Sequence, residues 1–213
     1  MAAGLLTPDQ LRSTAWRRLR RDVYADARLP LDHRLHAWGI SLVAPDTAVF
    51  AGLTSVVLWG GREFASADDP VEVILPPGNR WQPGPGVVVR SATVTRDVVR
   101  DRDGLRRTGR VRTAVDLIRR GTVDDGVVLL DRLVTAGIVP LAAVRDAAAA
   151  LPRCRGSRLA RDVAELADGC AESPPETRLR LLILRGGLPV PTAQYRVFDD
   201  EGSSRAWTSP IPS

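Results

Sequence analysis

The chain has 213 residues, of which 44% are hydrophobic and 26% are charged, as in a folded globular protein with one large domain or two small ones. Its net charge is +5, and all 30 basic residues are arginine. No apolar run approaches the roughly 20 residues of a membrane span, and Cys154 and Cys170 are too few for a disulfide scaffold, so we expect a cytoplasmic protein with no membrane partner.

The first part of the chain predicts a short helix, a basic hairpin and two longer helices. Thr7 and Gln10 have the spacing of a capping box at a helix start. Residues 15–24 then predict two short extended pieces around an arginine-rich turn. Further helices are predicted over 31–43 and 48–59.

The second part predicts strands and then helices. The apolar run Val71–Leu75 is closed by Pro76-Pro77-Gly78, which is typical of a buried strand. Residues 94–100 and 105–108 flank Asp103-Gly104, a hairpin signal. Another strand is predicted over 87–89, and helices over 111–120, 124–136, 141–151 and 158–167. This succession of elements predicts an α/β (α+β) fold.

Four arginines interleave with apolar residues in the first hairpin: Arg17, Arg18, Arg20 and Arg21. In a winged helix, such a hairpin lies along the phosphates beside a helix in the major groove. Residues 7–13, which include Arg12, supply a short helix before the hairpin. The pattern predicts DNA contact; the alternative is a solvated edge hairpin whose charges discourage aggregation.

A second basic cluster consists of Arg153, Arg155 and Arg158 around Gly156. It precedes a predicted helix, whose N-terminus is suited to phosphate. The cluster therefore predicts a second DNA contact, with a solvated interhelix loop as the alternative.

Metal and nucleotide chemistry find little support in the sequence. His33 and His36 share a helix face, but no cysteine or carboxylate pattern completes a metal site, so we expect no metal ligands or cofactor in this chain. The glycines match neither a phosphate loop nor a dinucleotide-binding pattern, and no serine lies in a nucleophile elbow. ATPase, dehydrogenase and serine hydrolase activities are disfavoured.

Residues 172–198 predict a helix, a glycine stop and one strand. Ser173 and Glu176 have capping-box spacing, which favours a structural role for Glu176. Alternatively, Glu176 is a helix carboxylate that supports a metal held by acids elsewhere. Residues 199–213 predict no folded structure.

Several segments, in this order, carry a resemblance to a known family: Arg20–Ala25, Ala51–Gly60, Arg112–Leu117, Glu172–Arg180, Leu188-Pro189 and Gln194-Tyr195. The front part of the chain is similar to the antitoxins of abortive-infection (type IV) toxin–antitoxin systems. The back part resembles an endonuclease-like domain related to very-short-patch repair endonucleases, within the restriction-endonuclease-like superfamily. The proteins that pair these two parts are actinobacterial, and the resemblance covers residues 5–198.

The resemblance implies a partial winged-helix-like DNA-binding region at 1–60, whose first helix is missing. It implies an α/β antitoxin-like region at 61–168 and an incomplete endonuclease-like domain at 169–198, before an irregular tail at 199–213. It also implies DNA and a toxin as partners. Glu176 would be the helix acid, and Mg²⁺ the cofactor of a full-length relative.

The strands that would carry the family's other catalytic acids do not follow residue 198. We therefore expect a truncated, catalytically inactive, DNA-associated protein. A one-base frameshift near Gly202 is one explanation, since codons for residues 203–212 can encode an alternating strand with a central aspartate in the neighbouring frame; sequencing the gene tests this. Four residues would then lack a covering sheet and be exposed: Leu181, Leu182, Leu184 and Val197.

Two other functions stay open. The chain could be a metal-dependent endonuclease completed by a partner or by oligomerisation, or a pseudogene product without function. A plasmid-nicking assay with Mg²⁺, with Glu176→Ala as control, separates the endonuclease from a protein that only binds DNA.

Overall fold

A computed structural model of the protein describes residues 6–94, 96–100, 104–171, 173–188, 195–198 and 204–207. The chain divides into two compact units, Met1–Gly109 (unit 1) and Arg110–Ser213 (unit 2). Helices and sheets are mixed along the chain, which confirms the predicted α/β (α+β) class. The winged-helix-like and endonuclease-like regions stay predictions.

Unit 1 contains a short helix, a hairpin, and helices that pack on a mixed sheet. Its helices are α1 (Pro8–Leu11), α2 (His33–Ser41) and α3 (Gly52–Leu58), with a 3-10 helix at Arg62–Phe64. Its strands are β1 (Trp16–Arg20), β2 (Val23–Asp26), β3 (Val49–Phe50), β4 (Val71–Leu75), β5 (Val87–Ser91), β6 (Val98–Arg100) and β7 (Arg106–Thr108).

The sheet has the strand order β5-β4-β3-β7-β6. The β4–β5 and β3–β7 pairs are parallel, whereas β3–β4 and β6–β7 are antiparallel. The β6–β7 pair confirms the hairpin predicted between 94 and 108, although Asp103 in its turn lies outside the described residues. The core joins the sheet to α2 and α3 through Ala37, Ile40, Phe50, Leu58, Val71, Val73 and Leu105.

The prediction of a single helix over 48–59 is wrong for the first half of that range. Val49 and Phe50 form β3, which pairs with Ile74 and Val73 of β4. Gly52 then starts α3 with φ +57, a left-handed conformation that breaks a continuous helix. Because β3 lies before residue 60 and both of its partner strands, β4 and β7, come after it, the boundary predicted at 60/61 falls inside unit 1.

Unit 2 is mainly helical. Its elements are α4 (Arg110–Ile118), α5 (Val123–Thr135), α6 (Leu141–Ala149), α7 (Ser157–Leu166), α8 (Pro174–Arg185), β8 (Tyr195–Phe198) and β9 (Ser204–Trp207). The five helices confirm the predicted ones to within a few residues at each end. The helices bury a core of small and branched side chains that includes Val115, Ile118, Leu130, Val144 and Val163.

The tail predicted to be irregular contains a strand. Residues 204–207 form β9, which pairs antiparallel with β8 from Tyr195↔Trp207 to Phe198↔Ser204. The sequence Ser-Arg-Ala-Trp is too short to show strand periodicity, so the pairing with β8 decides its conformation.

Candidate nucleic-acid interface

The N-terminal hairpin presents two faces of different character. Val23 and Ala25 of β2 are buried, and Leu19 of β1 lies against Gly39 of α2, where an added Cβ would be 3.1 Å from Leu19 Cδ1. This is the inner face. The outer face carries Trp16 and Arg18 of β1, because side chains two residues apart point the same way.

The hairpin's local folding follows from its sequence. The pairs Trp16↔Asp26 and Arg18↔Tyr24 set the register, and a bulge lies between Arg18 and Arg20. The turn that follows includes Asp22, whose φ of 60° is a conformation that short polar side chains tolerate. Both extended pieces predicted around the basic turn are confirmed.

Arg18 is the outer-face residue with the most available charge. Its side chain is exposed, and its Nε donates a hydrogen bond to the carbonyl oxygen of Arg20 at 3.2 Å. Among the described residues, Arg18 forms no ion pair with a carboxylate. Its guanidinium is therefore exposed to solvent and has no counter-charge within the part of the chain that the structure describes.

Arg12 and Arg21 flank this position in sequence and are also exposed. The Arg21 side chain is 91% exposed, and its Nε lies 3.6 Å from the neighbouring Asp22 carboxylate. Arg12 is at the end of α1 and forms an ion pair with Asp9. The predicted capping box of α1 is present, since Gln10 N donates to Thr7 Oγ1 and Thr7 N to Gln10 Oε1.

Arg17 and Arg20 have structural partners instead. The Arg17 guanidinium donates to the carbonyl oxygens of Ala27 and Leu29, at 3.2 and 3.3 Å. Arg20 Nη1 donates to the carbonyl oxygens of Pro83 and Pro85, and burial lowers the pKa of Arg20. These contacts fix the hairpin. The four arginines, which look equivalent in the sequence, therefore have two roles: Arg17 and Arg20 hold the hairpin together, whereas Arg18 and Arg21 face solvent.

The second basic cluster lies on a loop of unit 2. Arg153, Arg155 and Arg158 are all exposed, and Arg158 Nε is 3.8 Å from Asp162 Oδ2. Arg119 Nη2 fixes the loop by donating to the carbonyl oxygen of Arg155 at 2.8 Å. Gly156, with φ +79, occupies the N-cap of α7 without a side-chain cap. The loop presents three solvated guanidinium groups beside a helix N-terminus.

Glu176 is half-buried in the first turn of α8. The capping box predicted there is wrong in one part, because Ser173 occupies the N-cap but makes no side-chain cap hydrogen bond. Glu172 lies outside the described residues. Of the leucines predicted to be exposed, Leu181 is buried, Leu182 is 66% exposed and Leu184 is half-buried, while the side chain of Val197 lies outside the described part.

A buried ion network, which the sequence analysis missed, joins α8 to α5. Asp131 Oδ2 accepts hydrogen bonds from Arg180 Nη2 at 2.8 Å and Thr177 Oγ1 at 3.0 Å. Asp131 Oδ1 accepts from the backbone N–H groups of Asp168 and Gly169. Arg180 Nε is 3.0 Å from Asp168 Oδ2, an ionic contact without hydrogen-bond geometry. The boundary predicted at 168/169 therefore falls within unit 2, where this network crosses it.

The two histidines differ in environment. His33 is buried; its Nε2 lies 2.8 Å from Thr54 Oγ1, and its Nδ1 lies 3.1 Å from the carbonyl oxygen of Ser66. His36 is half-buried, and burial followed by the charge of Arg20 lowers its pKa. Within the described ranges, no three His, Cys, Asp or Glu side chains are grouped to hold a metal ion.

Asp26 and Arg28, which the sequence analysis did not single out, form an ion pair at the open end of the hairpin. Asp26 Oδ2 accepts from Arg28 Nη2 at 2.6 Å, and Oδ1 accepts from Arg28 Nε at 3.1 Å and from its backbone N–H at 2.9 Å. The side-chain hydrogen bonds, and then the backbone one, lower the pKa of Asp26 to about 2 from an ordinary 3.8.

We expect the Asp26 carboxyl to titrate near pH 2 in an NMR titration of the folded protein. Because its folded pKa is depressed, the pair stabilises the fold above pH 3.8, and this contribution is lost as the pH falls toward 2. Arg28→Ala should raise the midpoint toward 3.8 but not fully, since the backbone N–H remains. A wild-type midpoint at 3.8 would contradict the described pairing.

In the part of the chain that the structure describes, no helix has both the length and the apolar character to cross a membrane.

Comparisons with known proteins find distant relatives. No family model matches the sequence. Two curated Mycobacterium tuberculosis proteins, Uncharacterized protein Rv2248 (strain H37Rv) and Uncharacterized protein MT2308 (strain CDC 1551), are each 28% identical to it over 149 residues. That match covers 70% of this chain and 53% of each relative, so the chain spans about half the length of the curated relatives it matches. The crystal structure of the RV2827C protein from M. tuberculosis aligns with a TM-score of 0.41 and 16% identity, over 80% of this chain and 66% of that one.

Proposed function

We propose that this chain is a DNA-binding protein whose N-terminal hairpin contacts the phosphate backbone. The observation that carries the proposal is Arg18, an exposed guanidinium on the outer face with no carboxylate partner among the described residues. Arg12 and Arg21 add exposed positive charge on either side of it in sequence. Guanidinium groups bind phosphate oxygens through paired hydrogen bonds, which suits this role.

The charge distribution supports the same partner. Residues 6–30 contain six arginines and three aspartates, a net charge of +3, whereas the whole chain of 213 residues has +5. Arg17 and Arg20 hold the hairpin in shape, so Arg18 is presented on a fixed scaffold rather than on a mobile loop. Phosphate contacts of this kind release counterions and give affinity without reading sequence.

The resemblance to antitoxin-like and endonuclease-like proteins extends the proposal beyond the DNA contact of the hairpin. In this extended proposal, the chain is a DNA-associated member of the antitoxin-like and endonuclease-like proteins. A toxin is then a further partner, and Mg²⁺ is a cofactor of full-length relatives. The exposed loop of Arg153, Arg155 and Arg158 supplies a second phosphate contact in unit 2. The hairpin's binding to DNA needs neither the toxin nor the metal, so it is tested on the purified chain alone.

The double variant Arg18→Ala/Arg21→Ala is expected to weaken DNA binding roughly tenfold and to reduce the slope of log K against log salt by about 2. The physical reason is the loss of two phosphate contacts and their released counterions. Fluorescence anisotropy with a labelled DNA of mixed sequence, both single-stranded and duplex, measures both quantities.

The matched control is Arg62→Ala/Arg96→Ala, which removes two exposed arginines of unit 1 outside the hairpin. If both double variants lose the same affinity, net charge alone governs binding and the hairpin has no special role. If the wild-type chain binds neither form of DNA, the proposed function is wrong.

A further inference from the structure

A cleft opens at the end of the hairpin away from its turn, and its lining includes the outer-face residues Trp16 and Asp26. Its volume is about 250 Å³. One wall comes from the start of β1 and the other from the end of β2, and Trp16 contributes an aromatic ring that is half-buried. The lining residues are Thr14, Ala15, Trp16, Asp26, Ala27 and Arg28.

The walls of this cleft, here called the Trp16 cleft, are fixed by hydrogen bonds within the hairpin. Ala27 N donates to the carbonyl oxygen of Ala15 at 2.9 Å, which holds the two walls together. The Asp26 carboxylate accepts from the guanidinium and from the backbone N–H of Arg28. Arg17 Nη2 also donates to the carbonyl oxygen of Ala27. The shape of the cleft is therefore set before any ligand arrives, which lowers the entropy cost of binding.

Aromatic and cationic groups lie next to each other on this surface. Trp16 and Arg18 are two residues apart on β1 and share its outer face, about 7 Å apart along the strand, the order of size of one nucleotide. Tyr24, the cross-strand partner of Arg18, is half-buried on the same face. An indole offers a stacking surface to any nucleobase, and a neighbouring arginine binds the phosphate of the same nucleotide.

We propose that the Trp16 cleft takes up an unpaired nucleobase, so that the hairpin binds single-stranded DNA in preference to duplex. This inference rests on the proposed function and goes further, since it names the form of DNA that is bound. The bases of a duplex are already stacked on one another and present only their edges, whereas those of a single strand expose their faces to aromatic side chains. The net charge of +3 over residues 6–30 complements the phosphates of the strand.

The test compares the affinities of a labelled oligo-dT, the matching duplex and an abasic strand of the same length for the full chain. The wild type should bind oligo-dT most tightly. Trp16→Ala should lose about 5- to 150-fold in affinity for oligo-dT, the range that corresponds to removing one aromatic stacking partner, and less than twofold for the duplex or the abasic strand. Trp16→Phe keeps an aromatic ring and should retain most of the affinity.

Circular dichroism of each variant checks folding. If Trp16→Ala is unfolded, the wild-type chain alone tests the proposal. A clear preference of the wild type for oligo-dT over the abasic strand supports base uptake by the Trp16 cleft, and equal affinity for the two strands overturns it. Equal binding of duplex and oligo-dT, with no effect of Trp16→Ala, overturns the cleft while leaving the proposed function intact. If the chain binds none of the strands, both the proposed function and the base uptake by the Trp16 cleft are wrong. Oligo-rU should bind no more tightly than oligo-dT, and a clear preference for oligo-rU would overturn the assignment of the strand as DNA.

Discussion

Replacing Asp131 with alanine is expected to lower the free energy of unfolding of unit 2 by about 3–5 kcal/mol. The Asp131 side chain is 1% exposed and that of Arg180 is 8% exposed, so the variant leaves a buried guanidinium without its main counter-charge. Thr177 Oγ1 and two backbone N–H groups lose their acceptor at the same time. Removing one partner of a buried pair costs far more than the pair itself contributes.

Chemical denaturation followed by circular dichroism at 222 nm measures this loss, because unit 2 is mainly helical. Four of the five tryptophans lie in unit 1, so tryptophan fluorescence reports mainly on the unfolding of unit 1. The fluorescence transition should therefore change little in Asp131→Ala. The matched control is Asp125→Ala. Asp125 pairs with Arg178 between the same two helices and also accepts a hydrogen bond from Thr122 Oγ1, but the side chains of Asp125 and Arg178 are more than half exposed, so we expect a much smaller loss than for Asp131→Ala.

A second variant separates charge burial from packing. Asp131→Leu/Arg180→Met replaces the whole pair by apolar side chains and should recover much of the stability lost in Asp131→Ala. Similar losses for Asp131→Ala and Asp125→Ala would contradict the buried network, and so would a double variant less stable than Asp131→Ala.

The second large effect is expected at Gly52. Gly52→Ala should destabilise unit 1 by about 2–4 kcal/mol, the sum of left-handed backbone strain and a steric clash. An added Cβ would lie 2.0 Å from Glu72 Oε1. That oxygen accepts a hydrogen bond from Leu53 N, and the same carboxylate pairs with Arg90 at 2.9 Å, so moving it away breaks both interactions.

Gly78→Ala is the control that measures the cost of left-handed backbone strain without a steric clash. Gly78 also has a positive φ, +88, but an added Cβ there meets no atom within 4 Å. We expect it to cost about 1–2 kcal/mol. Tryptophan fluorescence during urea unfolding measures both variants, and a Gly52→Ala variant no less stable than Gly78→Ala would show that the Glu72 contact does not constrain this position.

The longer helices and the basic hairpin could be predicted because their signals are local. Thr7 and Gln10 made the capping box that their spacing predicted, and α2 and α4 to α8 followed their apolar periodicity. The two-residue strand β3 could not be found this way. Val49 and Phe50 carry no period of their own, and their conformation is set by partners far along the chain, in β4 and β7.

The candidate site was predictable in composition but not in geometry. The sequence shows four arginines in the hairpin, whereas only the fold shows that Arg17 and Arg20 bind backbone carbonyls. The Asp131 network had a weak signal, since Asp131 lies four residues after the buried Val127 and thus on the apolar face of α5. Its partner Arg180 is 49 residues away, a distance that no local pattern spans.

The most direct test of DNA binding by the hairpin is the salt dependence of the wild-type chain. Anisotropy of a labelled DNA, titrated over a series from about 50 to 200 mM salt, should give a straight line of log K against log salt with a slope of magnitude about 2 or more. At physiological salt we expect a Kd of roughly 1–100 µM, as for sequence-independent phosphate contacts. A slope near zero, or no binding at the lowest salt, would contradict the account.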